Sequence, residues 1–316
     1  MNPVWPILSG SLQTCHRLVL PSLAFESDEY HLSSINISNL RSLVVRPFWS
    51  YDGINARSKQ RLTRFLLSHG AIEELDIHDS IEPDTSLFTP DSLPHLSSFD
   101  GSASTIGNMA SIRMNCLSRT LRQLTVCSLN DHTLKQMFAQ FQSADGLGHS
   151  NTNHARHSRL LAGLRDIRFS TSLTQKVDTT AIIHDCGTLC GDSLHTWRGD
   201  LGLILVESIS AREFAALFQP YNQLRTIELR IRNEPGDYPH QEFNWMASGK
   251  AFAIVLELAK HCTTLRRVRI HNSSIGPDHI WDIVRTPKPR FGAGGDSCPG
   301  PICTQHYVYV PNLSGE

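Results

Sequence analysis

Three residues on one short stretch have the types to hold a metal ion. His184, Cys186 and Cys190 stand as H-x-C-x-x-x-C. Imidazole nitrogen and thiolate sulfur are the donors of tetrahedral zinc sites, which need four ligands at tight geometry. The stretch offers three and contains no C-x-x-C pair, and the Cys186–Cys190 interval equally suits one turn of an ordinary helix. Cys298, Cys303 and His306 lie near the end of the chain with the same shortfall. A second group, His149, His154 and His157 with Arg156 and Arg159, sits in a polar stretch and reads as solvated loop rather than as a ligand set or an acidic-partner site. Gly292-Ala293-Gly294-Gly295 lacks the lysine-threonine and the strand-helix frame of a phosphate loop. No G-x-S-x-G nucleophile motif occurs. The chain is therefore expected to have no catalytic residue, no metal and no cofactor, and not to be an enzyme. An enzyme or metalloprotein using His184, Cys186 and Cys190 is the alternative.

A different set of side chains recurs at fixed places. Glu74, Asp76, Asp100, Asp166, Arg168, Arg198, Glu228, Arg230, Arg267 and Arg269 all stand two, four or six residues after a leading leucine or isoleucine. Arginine suits bidentate contact with carboxylate or phosphate. The early copies set Glu74, Asp76 and Asp100 against Arg46 alone. The later ones set Arg168, Arg198, Arg230, Arg267 and Arg269 against Asp166, Asp200 and Glu228. An acidic end and a basic end are expected on one surface. The competing reading is a merely solvated polar face, which any repeat protein needs.

The elements that position these side chains follow from a repeated beat. Copies begin at Leu40, Ile72, Leu96, Leu121, Leu164, Leu194, Leu224 and Leu265, at spacings of 32, 24, 25, 43, 30, 30 and 41 residues. Positions three and five hold Leu43/Val45, Leu75/Ile77, Phe99/Gly101, Leu124/Val126, Ile167/Phe169, Trp197/Gly199, Ile227/Leu229 and Val268/Ile270. Of the residues at positions two and four, only Val44 is apolar. Successive strand side chains point to opposite faces, so each copy is a short strand with one face buried and one wet. No single copy could bury its apolar face alone, and stacking makes one core. The period and the L-x-x-L-x-L core read as leucine-rich repeats. The fold class is α/β: a right-handed solenoid with a parallel sheet on its concave face and helices or irregular segments on the convex face.

Composition agrees with this and bounds the rest. The chain has 316 residues, 40% hydrophobic, 19% charged, with a formal net charge of −1. Near-neutral charge gives no reason to expect nucleic acid as a partner. The opening Met1-Asn2-Pro3-Val4-Trp5-Pro6 is not a signal peptide, and the most apolar stretches, near Leu201–Val206 and Ala251–Ala259, are too short to span a membrane. Eight scattered cysteines are then most simply reduced thiols of an intracellular, cytoplasmic or nuclear protein. The sequons at Asn36, Asn272 and Asn312 stay silent on that reading.

Three regions are expected. Residues 1–39 cap the repeats, with His16–Leu20 and Leu32–Ile37 as degenerate copies. Residues 40–285 form the solenoid, and residues 286–316 a Pro/Gly-rich tail. Helices are predicted over Arg57–Ser68, ended by Gly70, and over Asp131–Gln142, capped by Asp131 or Asn130. Asn108–Leu117 is read as one or two helical turns. Glu82-Pro83-Asp84 and Thr89-Pro90-Asp91 make the second copy return by loop. Residues 144–158 break every pattern and read as an inserted loop, and Glu234–Gln241 as another. Ser210-Ala211-Arg212-Glu213 is a capping box leading Phe214, Leu217 and Phe218 to the core. Ala251–Lys260 is the last helix, with Phe252, Val255 and Leu258 inward. Residues 286–305 are expected to build no regular element, with a short edge strand at His306–Val310.

Leu40-Arg41-Ser42-Leu43, Ile72-Glu73-Glu74-Leu75-Asp76-Ile77, Leu93-Pro94-His95-Leu96-Ser97-Ser98-Phe99 and Leu121-Arg122-Gln123-Leu124 resemble a family. So does the tryptophan form Leu194-His195-Thr196-Trp197-Arg198-Gly199. Over roughly residues 15–285 the succession resembles the leucine-rich-repeat half of fungal, basidiomycete-type F-box proteins. The resemblance implies a substrate receptor of a cullin-type ubiquitin ligase, in which a helical F-box binds the ligase adaptor and the repeats hold a target protein. Residues 1–14 are too short and too proline-broken to supply an F-box, so the adaptor is expected as a partner only if an F-box lies outside this chain. The repeats also depart from the wider class at position eight, where Ser80, Ser104, Ser172 and Ser273 replace asparagine or cysteine in half the copies. Binding of unknown target proteins on the concave face, with the 144–158 loop as a second contact, is the function expected. A degenerate member with no retained partner is the further alternative.

Overall fold

The computed structural model describes residues 14–26, 35, 37–47, 55–78, 80–127, 130–144, 160–170, 178–202, 209–232, 249–272, 278–284 and 303–309. The chain divides into two compact units, Met1–Leu164 and Arg165–Glu316.

In the first unit, five strands lie side by side in chain order: β1 (Arg17–Pro21), β2 (Ser42–Arg46), β3 (Glu74–Ile77), β4 (Ser98–Ser102) and β5 (Gln123–Cys127). Every neighbouring pair is parallel, and the register is the one the repeats dictate: Leu43 pairs with Leu75, Leu75 with Phe99, and Phe99 with Leu124. The leading residues Leu40, Ile72, Leu96 and Leu121 are fully buried. In the second unit, β6 (Asp166–Ser170), β7 (Thr196–Gly202), β8 (Thr226–Arg232) and β9 (Arg267–Asn272) are likewise parallel, with Ile167, Trp197, Ile227 and Val268 in one buried row. Each unit is an α/β array of leucine-rich repeats.

One backbone device joins successive repeats. The carbonyl after each leading residue accepts from two consecutive N–H groups of the next repeat. Arg41 and Ser42 donate to His16, Glu73 and Glu74 to Arg41, Ser97 and Ser98 to Glu73, and Arg122 and Gln123 to Ser97, all at 2.8–3.0 Å. The second unit repeats it from Arg165 to His195/Thr196, from His195 to Arg225/Thr226, and from Arg225 to Arg266/Arg267. Each polar backbone group at the start of a strand is thus satisfied by the neighbour that also buries its side chains.

The return segments carry the helices. In the first unit these are α1 (Leu23–Glu26), α2 (Ala56–Ser68), a 3₁₀ turn at Thr85–Leu87, α3 (Ala103–Ser111), α4 (Asn115–Arg119) and α5 (Asp131–Ala144). The Asn55 side chain caps α2 by accepting from Ser58 N–H at 2.9 Å. Gly70 is not what ends α2. His69 is the C-cap, and its ring nitrogen Nδ1 lies 2.7 Å from the Phe65 carbonyl. A side chain satisfies that orphan carbonyl, so no left-handed glycine is required. The stretch around Asn108–Leu117 forms two helices, with Arg113 between them at φ 57°. Asn130 caps α5, accepting from Thr133 N–H at 2.8 Å, and Leu134, Met137, Phe138 and Phe141 are buried.

In the second unit the helices are α6 (Thr179–Cys190), α7 (Ala211–Ala216) and α8 (Lys250–His261). The Ser210/Glu213 capping box is formed in both directions, at 2.9 and 3.2 Å. Phe214 and Phe218 are fully buried, whereas Leu217 is only partly so. On α8 the buried stripe is Ala251, Ile254, Val255 and Leu258, and Phe252 is 51% exposed. Phe252 was expected inward. One residue on from Ala251 is a rotation of about 100° around a 3.6-residue helix, which takes it off the stripe.

Two strands depart from the sequence expectation. β10 (Asp278–Val284) runs antiparallel to β9, and β11 (Cys303–Tyr309) runs parallel to β10. Residues 303–305, expected to build no regular element, belong to β11. β10 buries Trp281 and Ile283, and Val308 of β11 is also buried. Apolar side chains at alternate positions thus continue the core where the leucine beat has stopped. The insertion at 144–158 (Ala144 apart), the one at 234–241 and residues 286–302 lie outside the described residues, as do the histidines at 149, 154 and 157 and the glycine run at 292–295. Among the described residues no helix is long and apolar enough to cross a membrane.

Candidate functional site

The wet faces of the strands carry the charged side chains, and register decides which of them meet. In the first unit, Asp76 is the partner of Asp100, and Asp100 of Thr125. Of the three acidic side chains expected there, Asp76 is paired with a cation. Arg46 lies two residues beyond Val44, the partner of Asp76, and its guanidinium grips both carboxylate oxygens, Nη1 at 2.8 Å from Oδ1. Asp100 accepts from the Cys127 thiol at 2.9 Å. Glu74 stays exposed in the adjacent row beside Ser42 and Ser98.

In the second unit three rows run across the strands. One row is Asp166, Thr196, Thr226 and Arg267; the next is Arg168, Arg198, Glu228 and Arg269; the third includes Arg230 and His271. The Asp200 backbone pairs with Arg230, while its side chain lies outside the described residues. Glu228 is the hub of the middle row. Arg198 Nε stands 3.2 Å from its Oε2, and His271 Nε2 stands 3.9 Å from the same oxygen. The neighbouring His271 imidazole, then the positive charges of Arg198 and Arg269, hold the Glu228 carboxyl below the usual carboxylate range despite its half-buried position. Arg168, Arg198, Glu228, Arg230 and His271 line a hollow of about 190 Å³ floored by Phe169 and Gly199.

Two glycines make room for large rings beneath the wet face. A Cβ on Gly199 would lie 2.3 Å from the Trp197 ring, and one on Gly101 would lie 2.7 Å from the Phe99 ring. In both repeats a large aromatic at position three turns over the place where position five has no side chain. The two glycines therefore continue the buried face.

Arg267 and Arg269 are less available than their positions suggested. Arg267 Nε is 2.7 Å from Asp282 Oδ1 on β10, and Arg269 is half-buried between Glu228 and Ile280 of the flanking strands. Two members of this surface were not singled out from sequence. His271 occupies position six of the last repeat, the same place as Arg230, and that spacing could have found it. Asp282 sits on a strand with no leucine signal, so only the tertiary pairing reveals it.

The thiol stretch does not form a ligand set. Both Cys186 and Cys190 face the core of α6, with the Cys190 thiol 3.3 Å from the Cys186 carbonyl, while the His184 side chain is 71% exposed and pairs with Asp185. Burial, and then the neighbouring Cys190, push the Cys186 thiol well above its ordinary range. Tyr221 packs against the same group and donates to the Ile183 carbonyl at 2.5 Å. Among the described residues, no group of three or more histidine, cysteine or acidic side chains is arranged to hold a metal.

No family model matches the chain, and no curated protein matches it by sequence. Among solved structures, the chain is similar to the leucine-rich-repeat-containing protein LegL7 of Legionella pneumophila, with a TM-score of 0.47 and 14% identity over 83% of this chain and 75% of that one. The repeat architecture is read from strand register and burial, not from that likeness.

Proposed function

We propose that the chain is a non-enzymatic protein-binding scaffold that uses the solvent face of its repeat strands. The observation that carries this reading is the middle row of the second unit. Arg168, Arg198, Glu228 and Arg269 are set in register on adjacent strands, above a buried row of Ile167, Trp197, Ile227 and Val268. Parallel strands lie about 4.8 Å apart, so the row holds charged groups at fixed intervals on rigid elements. Fixed charge on a rigid face gives orientation and specificity to a partner. The partner-binding set on this reading is Glu74, Asp76, Asp100, Asp166, Arg168, Arg198, Glu228, Arg230, Arg267 and Arg269.

The finer reading follows the resemblance of the repeat phrases. The scaffold would be the substrate-recognition part of an F-box-type ubiquitin-ligase receptor, meeting the ligase adaptor only through an F-box outside this chain. Affinity purification with mass spectrometry from an intracellular extract tests both levels. Target proteins recovered with the native chain and lost with Arg198→Glu support the strand face. Recovery unchanged by that substitution rejects it. Recovery of the ligase adaptor supports the F-box reading, and its absence alongside reproducible targets leaves only the scaffold.

A further inference from the structure

The charge on the strand face of the second unit is unbalanced at one point. Arg198 and Glu228 are register partners and ion-paired, so the Glu228 carboxylate is engaged with Arg198 on one side and with His271 on the other. Arg168 is the register partner of Arg198 on the side away from Glu228. Its neighbour along the row is another guanidinium, not a carboxylate. The Arg168 side chain is exposed and makes no ion pair or hydrogen bond among the described residues. A guanidinium that is always charged and presents five donors in a planar fork is thus available at the rim of the hollow.

The size of the hollow limits what enters. At about 190 Å³ it is smaller than the ~300–1,000 Å³ of small-molecule and cofactor pockets. A hollow of that size suits the head of one side chain. Glu228 lines the same hollow. Any entering anion meets that like charge, and the repulsion grows with its own charge, so a single carboxylate taking the outer guanidinium disturbs the inner pair least.

We propose that this hollow is an anchor for one aspartate or glutamate side chain of an acidic polypeptide segment, held by Arg168, with Glu228 keeping Arg198 in place beside it. The proposal rests on the strand-face reading above and specifies its partner. Arg168 is the gripping group. Glu228 is a positioning residue and also a competitor, since it occupies guanidinium donors that an incoming carboxylate could use.

Fluorescence anisotropy with the full chain and a short fluorescein-labelled glutamate–serine peptide tests it, with the glutamine–serine peptide as control. The glutamate peptide is expected to bind and the glutamine peptide not. Arg168→Glu is expected to weaken binding about tenfold or more, the scale of losing a charge-assisted hydrogen-bonded pair. Arg168→Lys should recover only part of it, because a point charge cannot grip bidentately. Lys250→Glu on α8, an exposed return helix of the same unit, makes the same charge change off the strands and should leave binding unchanged. Glu228→Gln should tighten binding severalfold. Equal losses for Arg168→Glu and Lys250→Glu, or no binding of the glutamate peptide, overturn the anchor. A phosphoserine peptide that binds more tightly than the glutamate peptide overturns the carboxylate assignment. Failure here, with target capture still lost in Arg198→Glu, rejects the anchor and keeps the strand face; loss of neither rejects both.

Discussion

The indole of Trp197 lies over Gly199, two residues along the same strand, where a Cβ would stand 2.3 Å from the ring. Trp197 is fully buried, meeting Phe218 edge-to-face at 5.7 Å and a tilted Phe169 ring at 6.1 Å between centroids. Position three is overfilled and position five left empty, and the two deviations cancel. Gly199→Ala should therefore cost about 1–3 kcal/mol through overpacking, lowering the thermal midpoint. Trp197→Ala should cost about 3–5 kcal/mol through the cavity it leaves. A Gly199→Ala variant that melts with the native protein would show that the ring can move aside.

His69 occupies the slot three residues before a leading residue, where other repeats place Ile37, Leu93, Leu161, Tyr221 and Cys262, all buried. It is itself buried, stacked on Phe65 at 4.1 Å. Its Nδ1 faces the Phe65 carbonyl, which can only accept, so Nδ1 carries the proton. Nε2 then accepts from the Ile37 N–H at 3.1 Å. His69→Leu puts an apolar residue where neighbouring repeats have one. It should still lose about 1–3 kcal/mol in urea unfolding, because the Ile37 N–H loses its acceptor. Equal or greater stability would mean that this amide finds another partner.

The buried thiols should be inert in the folded chain. Burial pushes the Cys116 thiol up to about 12 and holds Cys186 well above its ordinary value. The thiolate is the reactive form, so neither should react with iodoacetamide at neutral or mildly alkaline pH until denaturant is added. Among the cysteines whose side chains are described, the half-exposed Cys15 and Cys127 should label before the buried ones. Elemental analysis of purified protein should show no zinc dependent on Cys186 or Cys190. Zinc lost on Cys186→Ser would contradict the core placement of these thiols.

Glu228 makes stability pH-dependent in a defined direction. The neighbouring His271 imidazole, followed by Arg198 and Arg269, lowers its folded pKa below the unfolded value of about 4.3. The native state therefore binds its proton less readily than the unfolded chain. The contribution is present above the unfolded value and is lost as pH falls through the folded one. The group is half-buried, so solvent screening keeps the effect to at most about 1 kcal/mol. Denaturant midpoints measured from neutral pH down to acid should fall less steeply in Glu228→Gln than in the native chain. Parallel curves would show that the pairing is too weak to couple to folding.

The strands were legible because alternation is a local consequence of strand geometry. Leu43, Leu75, Leu124, Ile167, Ile227 and Val268 could be placed inward before any contact was known, and all are buried. The Ser210–Glu213 cap was legible for the same reason: its bonds span only three residues. Phe252 was misread because α8 has two candidate stripes, and the choice belongs to whatever packs against it. β10 was missed because Asp278–Val284 carries no leading leucine, and its antiparallel pairing with β9 depends on a chain reversal that periodicity does not encode.

For the candidate surface the division is sharper. Sequence determined which side chains stand on the wet face, since a residue two or four places after the leading leucine has no other side to take. Tertiary structure alone decided which charges cancel. Arg46 reaches Asp76, Arg267 reaches Asp282, Glu228 is held by Arg198 and His271, and Arg168 is left facing another arginine. Those partners are 30, 15, 30, 43 and 30 residues apart along the chain. Electrostatic interaction falls off with distance through space, and only the stacking of one repeat on the next converts such separations into contact.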